Sequence, residues 1–139
     1  MNIKEIESVL SLSKEKLYKT FLLRISDSEK IWILCDKDNI LYYGDNDNNQ
    51  YFPIWPEKEF AEMCAINEWS NSKPVCIELE EFLTEYIPEL IDNNIYLSIF
   101  PRLNYTETII FEAKEFAKIV VSYIEEWYGD SFDLPYLEN

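Results

Sequence analysis

The 139-residue sequence contains no histidine. That absence removes Ser-His-Asp and Cys-His triads, histidine-based zinc sites and most proton shuttles that work near neutral pH. Glycine occurs only twice, too few for a phosphate-binding loop, so no nucleotide or dinucleotide cofactor is expected. The three cysteines, Cys35, Cys64 and Cys76, cannot form a four-thiolate zinc site or a disulfide framework. Each lies in an apolar run, which predicts buried, inert thiols and a reducing compartment. No apolar stretch approaches the ~20 residues of a transmembrane helix. The start, Met1-Asn2-Ile3-Lys4-Glu5, has no apolar signal core. The expected location is the cytoplasm.

Basic residues are the other shortage. There are 12 against 27 acidic residues, a net charge of -15. Residues 1–30 hold six basic and five acidic side chains, so residues 31–139 carry a net -16. A surface of that sign repels DNA, RNA and anionic lipid, so neither nucleic acid nor membrane is an expected partner. It favours encounter with a basic protein. The competing reading is that the acidity serves solubility alone.

What is plentiful is apolar and aromatic: 47% hydrophobic and 16% aromatic residues. A disordered chain is poor in both, so this one should fold, and its length suits one domain. Ile3, Ile6, Val9 and Leu10 have helical spacing. Ser13 looks like the N-cap of a second helix with Leu17, Phe21, Leu22 (or Tyr18) and Ile25 on one face. Three strand-like runs follow, at 31–35, 40–43 and 51–55, and read as a meander. Pro53 should put the third at an edge or on a bulge.

Pro56 opens a helix carrying Phe60, Met63 and Cys64 on one face. A strand at 75–79 leads into a helix from Glu80, in which Pro88 predicts a kink. Strands at 95–100 and 106–111 precede the clearest helix, whose apolar stripe is Phe116, Ile119, Val120, Tyr123, Ile124 and Trp127. The order αα-βββ-α-β-α-ββ-α predicts an α+β domain with a mixed, mostly antiparallel sheet covered by helices.

The run Tyr51-Phe52-Pro53-Ile54-Trp55-Pro56, the pair Phe60-Ala61 and the following Trp69 resemble the signature of a bacterial family, domain of unknown function 2750. The likeness continues through residues 74–83 and 95–101, with Trp32 in the first strand, and spans about residues 13–125. It implies a small α+β fold and assigns no catalytic or binding residue. A looser similarity, in the order strand, turn, helix, strand, is to the amino-terminal part of SseB-like proteins.

Three features of the sequence bear on chemistry. Asp45-Asn46-Asp47-Asn48-Asn49 resembles the opening of a calcium loop, but Gln50 stands where the glycine belongs and Pro56 where the bidentate glutamate belongs. A solvated hairpin tip is the better reading. Carboxylate pairs such as Glu80/Glu81 and Glu57/Glu59 could serve a hydrolase only if two met in one cleft with separated pKa values. The end of the chain is more distinctive. Glu125, Glu126, Asp130, Asp133 and Glu138 occur with no base, interleaved with Trp127, Tyr128, Phe132 and Tyr136. Acids steer and pair with a basic partner while rings supply buried area. The competing reading packs those rings on the domain, with Trp127 continuing the helix stripe.

The expected function is therefore an acidic protein-binding module. Its sharpest form is an immunity-type protein that neutralises a basic partner. The candidate contacts are Glu125, Glu126, Tyr128, Asp130, Phe132, Asp133 and Tyr136. The alternatives are a small-molecule-binding regulatory domain using an aromatic surface at Tyr42, Tyr43 and Trp55, with Trp32 nearby, or a carboxylate-based hydrolase. No catalytic residue, cofactor or metal ligand is assigned.

Overall fold

Two capped helices lead the chain. In the computed structural model, which describes residues 1–103 and 108–138, α1 spans Ile3–Leu10 and α2 Lys14–Ser28. The Asn2 side chain accepts the Glu5 N–H at 2.8 Å, and Ser13 Oγ accepts the Lys16 N–H at 3.3 Å. Each cap satisfies a donor that the first helical turn leaves without a partner. Leu17, Phe21, Leu22 and Ile25 of α2 are buried, as their spacing predicts.

The strands divide into two sheets. β1 (Lys30–Asp36) lies between β2 (Asn39–Ile40) and β5 (Lys73–Glu78). The second sheet runs β3 (Tyr43–Gly44), β4 (Gln50–Ile54), β6 (Tyr96–Ile99), β7 (Ile109–Glu112). Among the described residues every pairing is antiparallel except β4 with β6. The run expected as one strand at 40–43 is thus two short strands, one in each sheet. A bridge between Trp32 and Trp55 joins the sheets. Residues 106 and 107 of the expected last strand lie outside the described residues.

β4 is an interior strand, which corrects the edge expected from Pro53. The proline is tolerated because of where its nitrogen points. Strand residues alternate sides, and Ile54 faces β6, giving its carbonyl to the Phe100 N–H. Pro53 therefore faces the other way, between Tyr51, which pairs with Tyr43, and Trp55, which pairs with Trp32. β3 has ended by that point, so the missing N–H breaks no ladder.

α3 (Lys58–Cys64) follows Pro56 and packs on β1 and β5. After β5, α4 (Leu79–Glu81) passes through a π-turn at Phe82–Tyr86 into α5 (Ile87–Asp92). The disturbance expected at Pro88 is absorbed in this wider turn. α6 (Ala113–Tyr128) buries Phe116, Val120 and Ile124 and ends at Gly129, whose φ of 73° suits a residue without Cβ. Contacts from Phe21 to Phe116, Phe116 to Phe82 and Phe82 to Phe52 run an aromatic row from α2 through α6 and the π-turn to β4. Such pairs add to the apolar area they bury.

Arg24 ties α1 to the rest. Its Nη1 donates to Glu57 at 2.6 Å and its Nη2 to Glu5 at 3.3 Å. Burial raises the Glu57 carboxyl pKa, and Arg24 opposes that rise. Arg24→Ala leaves a carboxylate only about a quarter exposed without its cation. Urea unfolding should show a loss of about 1–2 kcal/mol, between the range for exposed pairs and that for buried ones. Replacing both residues together, as in Arg24→Met with Glu57→Leu, should cost less than Arg24→Ala alone.

Candidate functional site

The last turn of α6 and the chain just beyond it carry most of the candidate contacts singled out from sequence. Glu125, Glu126 and Tyr128 are exposed there, and Asp130 and Asp133 are exposed just beyond. Trp127 is 67% exposed, so it does not continue the buried stripe. The reason is length: the last buried residue of α6 is Ile124, and the helix runs on past the core to Tyr128. Tyr123 packs beside both Trp127 and Tyr128, with ring centroids 6.4 Å apart in each case. The Tyr128 hydroxyl donates to Asp27 Oδ1 at 2.9 Å, which raises the phenol pKa and brings a further carboxylate to the group.

The helix itself adds to this charge. Its C-terminal carbonyls carry the negative end of the dipole, and no basic residue stands in its last turn. From Ile119 to Asn139 the sequence has no Lys or Arg at all.

The tail beyond Gly129 divides in two. Asp130 and Asp133 face water, but Leu134 is buried, and Phe132 and Tyr136 are half-buried against the core. Tyr136 donates its hydroxyl to the Leu83 carbonyl at 2.5 Å. Burial pushes its pKa up to about 12, so it stays a donor throughout the ordinary pH range.

The four sheet aromatics do not make one surface. Trp55 is fully buried, which corrects its place in the expected aromatic surface. Its indole N–H donates to the Pro101 carbonyl at 3.0 Å. Tyr42, 41% exposed, leans edge-on against Phe52. Tyr43 points elsewhere: it stacks on Tyr51, meets Trp69, and donates to buried Ser98 Oγ at 2.7 Å. Tyr42 lies in the link before β3 and Tyr43 is the first residue of that strand, and the two part there.

Tyr43 instead helps line a cleft of about 610 Å³ with Cys64, Ile66, Trp69, Arg102 and Leu103. A second hollow, of about 430 Å³, shares Cys64, Pro101, Arg102 and Leu103 with it and reaches Leu10, Phe60 and Met63. Ile66, Met63 and Leu103 are all more than a third exposed. The cleft floor is built by signature residues. Trp55 and the Cys64 thiol both donate to Pro101 O, and Trp69 stands edge-on to Trp55. Sequence reasoning missed Ile66, Arg102 and Leu103, because no local pattern joins segments so far apart in the chain.

The cysteines are free. Burial pushes the Cys64 thiol up to about 11 and raises Cys35 and Cys76 as well, so none is an activated nucleophile. Cys76 is exposed on β5, against the burial expected of it. Its strand is an edge whose solvent side the apolar run does not reveal.

Two carboxylates share one shallow hollow, Asp27 and Glu57, beside Arg24 and Ser28. Both are engaged, Glu57 by Arg24 and Asp27 by Tyr128. Among the described residues no group of three or more Cys, Asp or Glu side chains could hold a metal ion. No helix among them is long and apolar enough to cross a membrane. The Asp45 loop closes on itself. Asp45 accepts the N–H groups of Asp47 at 2.9 Å and Asn49 at 3.0 Å, the Asn49 amide at 3.2 Å and the Tyr51 hydroxyl at 2.6 Å.

Residues 18–120 match the family described as "Protein of unknown function (DUF2750)". The chain belongs to this family. Comparison with curated proteins finds no match. The DUF2750 match takes in both sheets, the cleft and its Trp55, Phe60 and Trp69 framework. It stops at Val120, before the acidic end of α6.

The Asp45 contacts predict a pH dependence. Its carboxyl is held well below the ordinary 3.8, at about 2, first by the Tyr51 hydroxyl. A depressed folded pKa gives stability that is present above the unfolded value and lost as pH falls through the folded one. Carbonyl-detected NMR titration should place the Asp45 midpoint near 2, and Tyr51→Phe should move it back towards 3.8.

Proposed function

We propose that the chain is a binding module for a basic protein, engaged through the C-terminal end of α6. The observation that carries this reading is Trp127, a ring 67% exposed among carboxylates that have no basic neighbour in sequence. An exposed indole with acids before and after it in the chain suits the arginine or lysine side chains of a partner. The face of the ring attracts the cation, and the carboxylates accept its N–H groups. Glu125, Glu126 and Asp130 supply those acceptors, and Tyr128 and Asp27 border them. Asp133 adds to the field. Phe132 and Tyr136 hold the tail to the domain and are not direct contacts in this reading. An immunity-type role, covering a basic toxin or nuclease, is the sharpest version. A cytoplasmic setting fits three unpaired thiols.

A second reading has its own observation. The cleft beside Tyr43 and Trp69 has a volume within the usual range for small-molecule sites and lies inside the family-matched span. A planar apolar ligand would stack there.

The test is capture of basic proteins from the host lysate by wild type, Trp127→Ala, and Glu125→Lys with Glu126→Lys. Wild type should retain a stoichiometric basic protein at low salt and release it at high salt. Trp127→Ala should weaken binding to that purified partner at least tenfold, as loss of an interface anchor does. The charge reversal should slow association and flatten its salt dependence. Retention of the same protein by all three would refute the α6 site. Wild-type tryptophan fluorescence that responds to small aromatic ligands, and not to basic proteins, would favour the cleft.

A further inference from the structure

The π-turn leaves one main-chain acceptor without a donor in its own helix. In a regular α-helix the Leu83 carbonyl would receive the Ile87 N–H. Here the Ile87 N–H bonds Phe82 instead. Were the π pattern to continue, the donor to Leu83 would be residue 88, and that residue is proline, which has no N–H. Leu83 is fully buried, so water is a poor substitute. The donor comes from more than fifty residues away: the Tyr136 hydroxyl, in a one-turn 3-10 helix at Pro135–Leu137. Leu134 is buried beside it, and the segment packs on α6. Thr84, Pro88, Asp133, Leu134, Pro135 and Tyr136 line the seam between the two.

We infer that residues 130–138 form a strap whose attachment and the π-turn at Phe82–Tyr86 are one conformational equilibrium, latched by Tyr136 on the Leu83 carbonyl. With the strap down, Leu83 O has the Tyr136 hydroxyl as its donor. With the strap lifted, Leu83 O is left without a donor and the Leu134 site is uncovered. The π-turn sits in the row of rings that includes Phe82 and Phe52, so the strap reports on the core as well as covering it. This coupling does not rest on the binding reading. Whatever draws on Asp130 or Asp133 pulls on the same latch.

A double-mutant cycle tests the coupling. Tyr136→Phe removes the hydroxyl and keeps the ring. Pro88→Ala restores the N–H that the π pattern aims at Leu83. In the native background Tyr136→Phe should raise the unfolded-to-folded ratio about tenfold, the effect of leaving a buried carbonyl unpaired. It should also speed proteolysis within the strap. In the Pro88→Ala background the same change should alter the ratio by no more than about twofold, because Leu83 then has its own donor. Equal effects in the two backgrounds would overturn the inference. If Pro88→Ala does not fold, hydrogen exchange in Tyr136→Phe decides. Faster exchange at Tyr86 and Ile87 than in α2 supports the latch, and uniform change across the chain refutes it.

Discussion

The backbone of Trp55 exchanges hydrogen bonds with the backbone of Trp32 in both directions, each at 2.9 Å, and its indole N–H reaches the Pro101 carbonyl at 3.0 Å. The backbone pair joins the two sheets, and the indole bond ties the ends of β4 and β6. Sheet β2-β1-β5 and sheet β3-β4-β6-β7 share no strand, and of the three passages of the chain between them the most direct is the short stretch around Leu41 and Tyr42. Trp55 closes that gap from the far end of β4. Its reach to Pro101 also fixes the exit of β6, where Phe100 takes a φ of 52° that a bulky side chain rarely adopts. The Phe100 ring rests on Phe60, 4.8 Å away, and its N–H on Ile54 O. A turn held at so many points presents the Pro101 carbonyl to both Trp55 and Cys64 and sets the floor of the cleft. The residues that carry the likeness to the family, Trp55, Phe60 and Trp69 among them, therefore build the sheet joint and the cleft floor.

Much of the fold can be read from the sequence because its helices state their period. The spacing of Phe116, Val120 and Ile124 places the buried face of α6, and Ser13 marks the start of α2 as a cap. The failures share a cause: local pattern does not show where the core ends. Trp127 keeps the period of α6 yet lies past the last layer it could pack on. Cys76 sits in an apolar run whose strand is at an edge. Pro53 argues against an interior strand only when its nitrogen faces a neighbour, and that depends on β3 ending early. Pro88 announces a disturbed helix. The form it takes depends on Tyr136, which no window of sequence around Pro88 contains.

The two candidate surfaces are legible to different degrees for the same reason. Charge is a sum over residues, so the acidic end of α6 is visible in composition alone. The exposure of its ring is not. The cleft draws on residues 43, 64–69 and 101–103, and only the fold brings them together. The surfaces also differ in relation to the family. The cleft lies in the part matched to DUF2750, and the acidic end lies beyond it. A family-wide role would centre on the first, and a partner particular to this chain on the second.

Through their bridge Trp32 and Trp55 make two sheets one cooperative unit. Native-state hydrogen exchange at their amides tests it most directly. If the joint holds the sheets together, both amides exchange only through global unfolding, with the same opening free energy and denaturant dependence as the middle of β1 and β6. Exchange of the Trp55 amide through a lower-energy opening, while β1 and β6 stay protected, would contradict it. The sheets would then be separately stable, and the tryptophan pair a contact between them and not their joint.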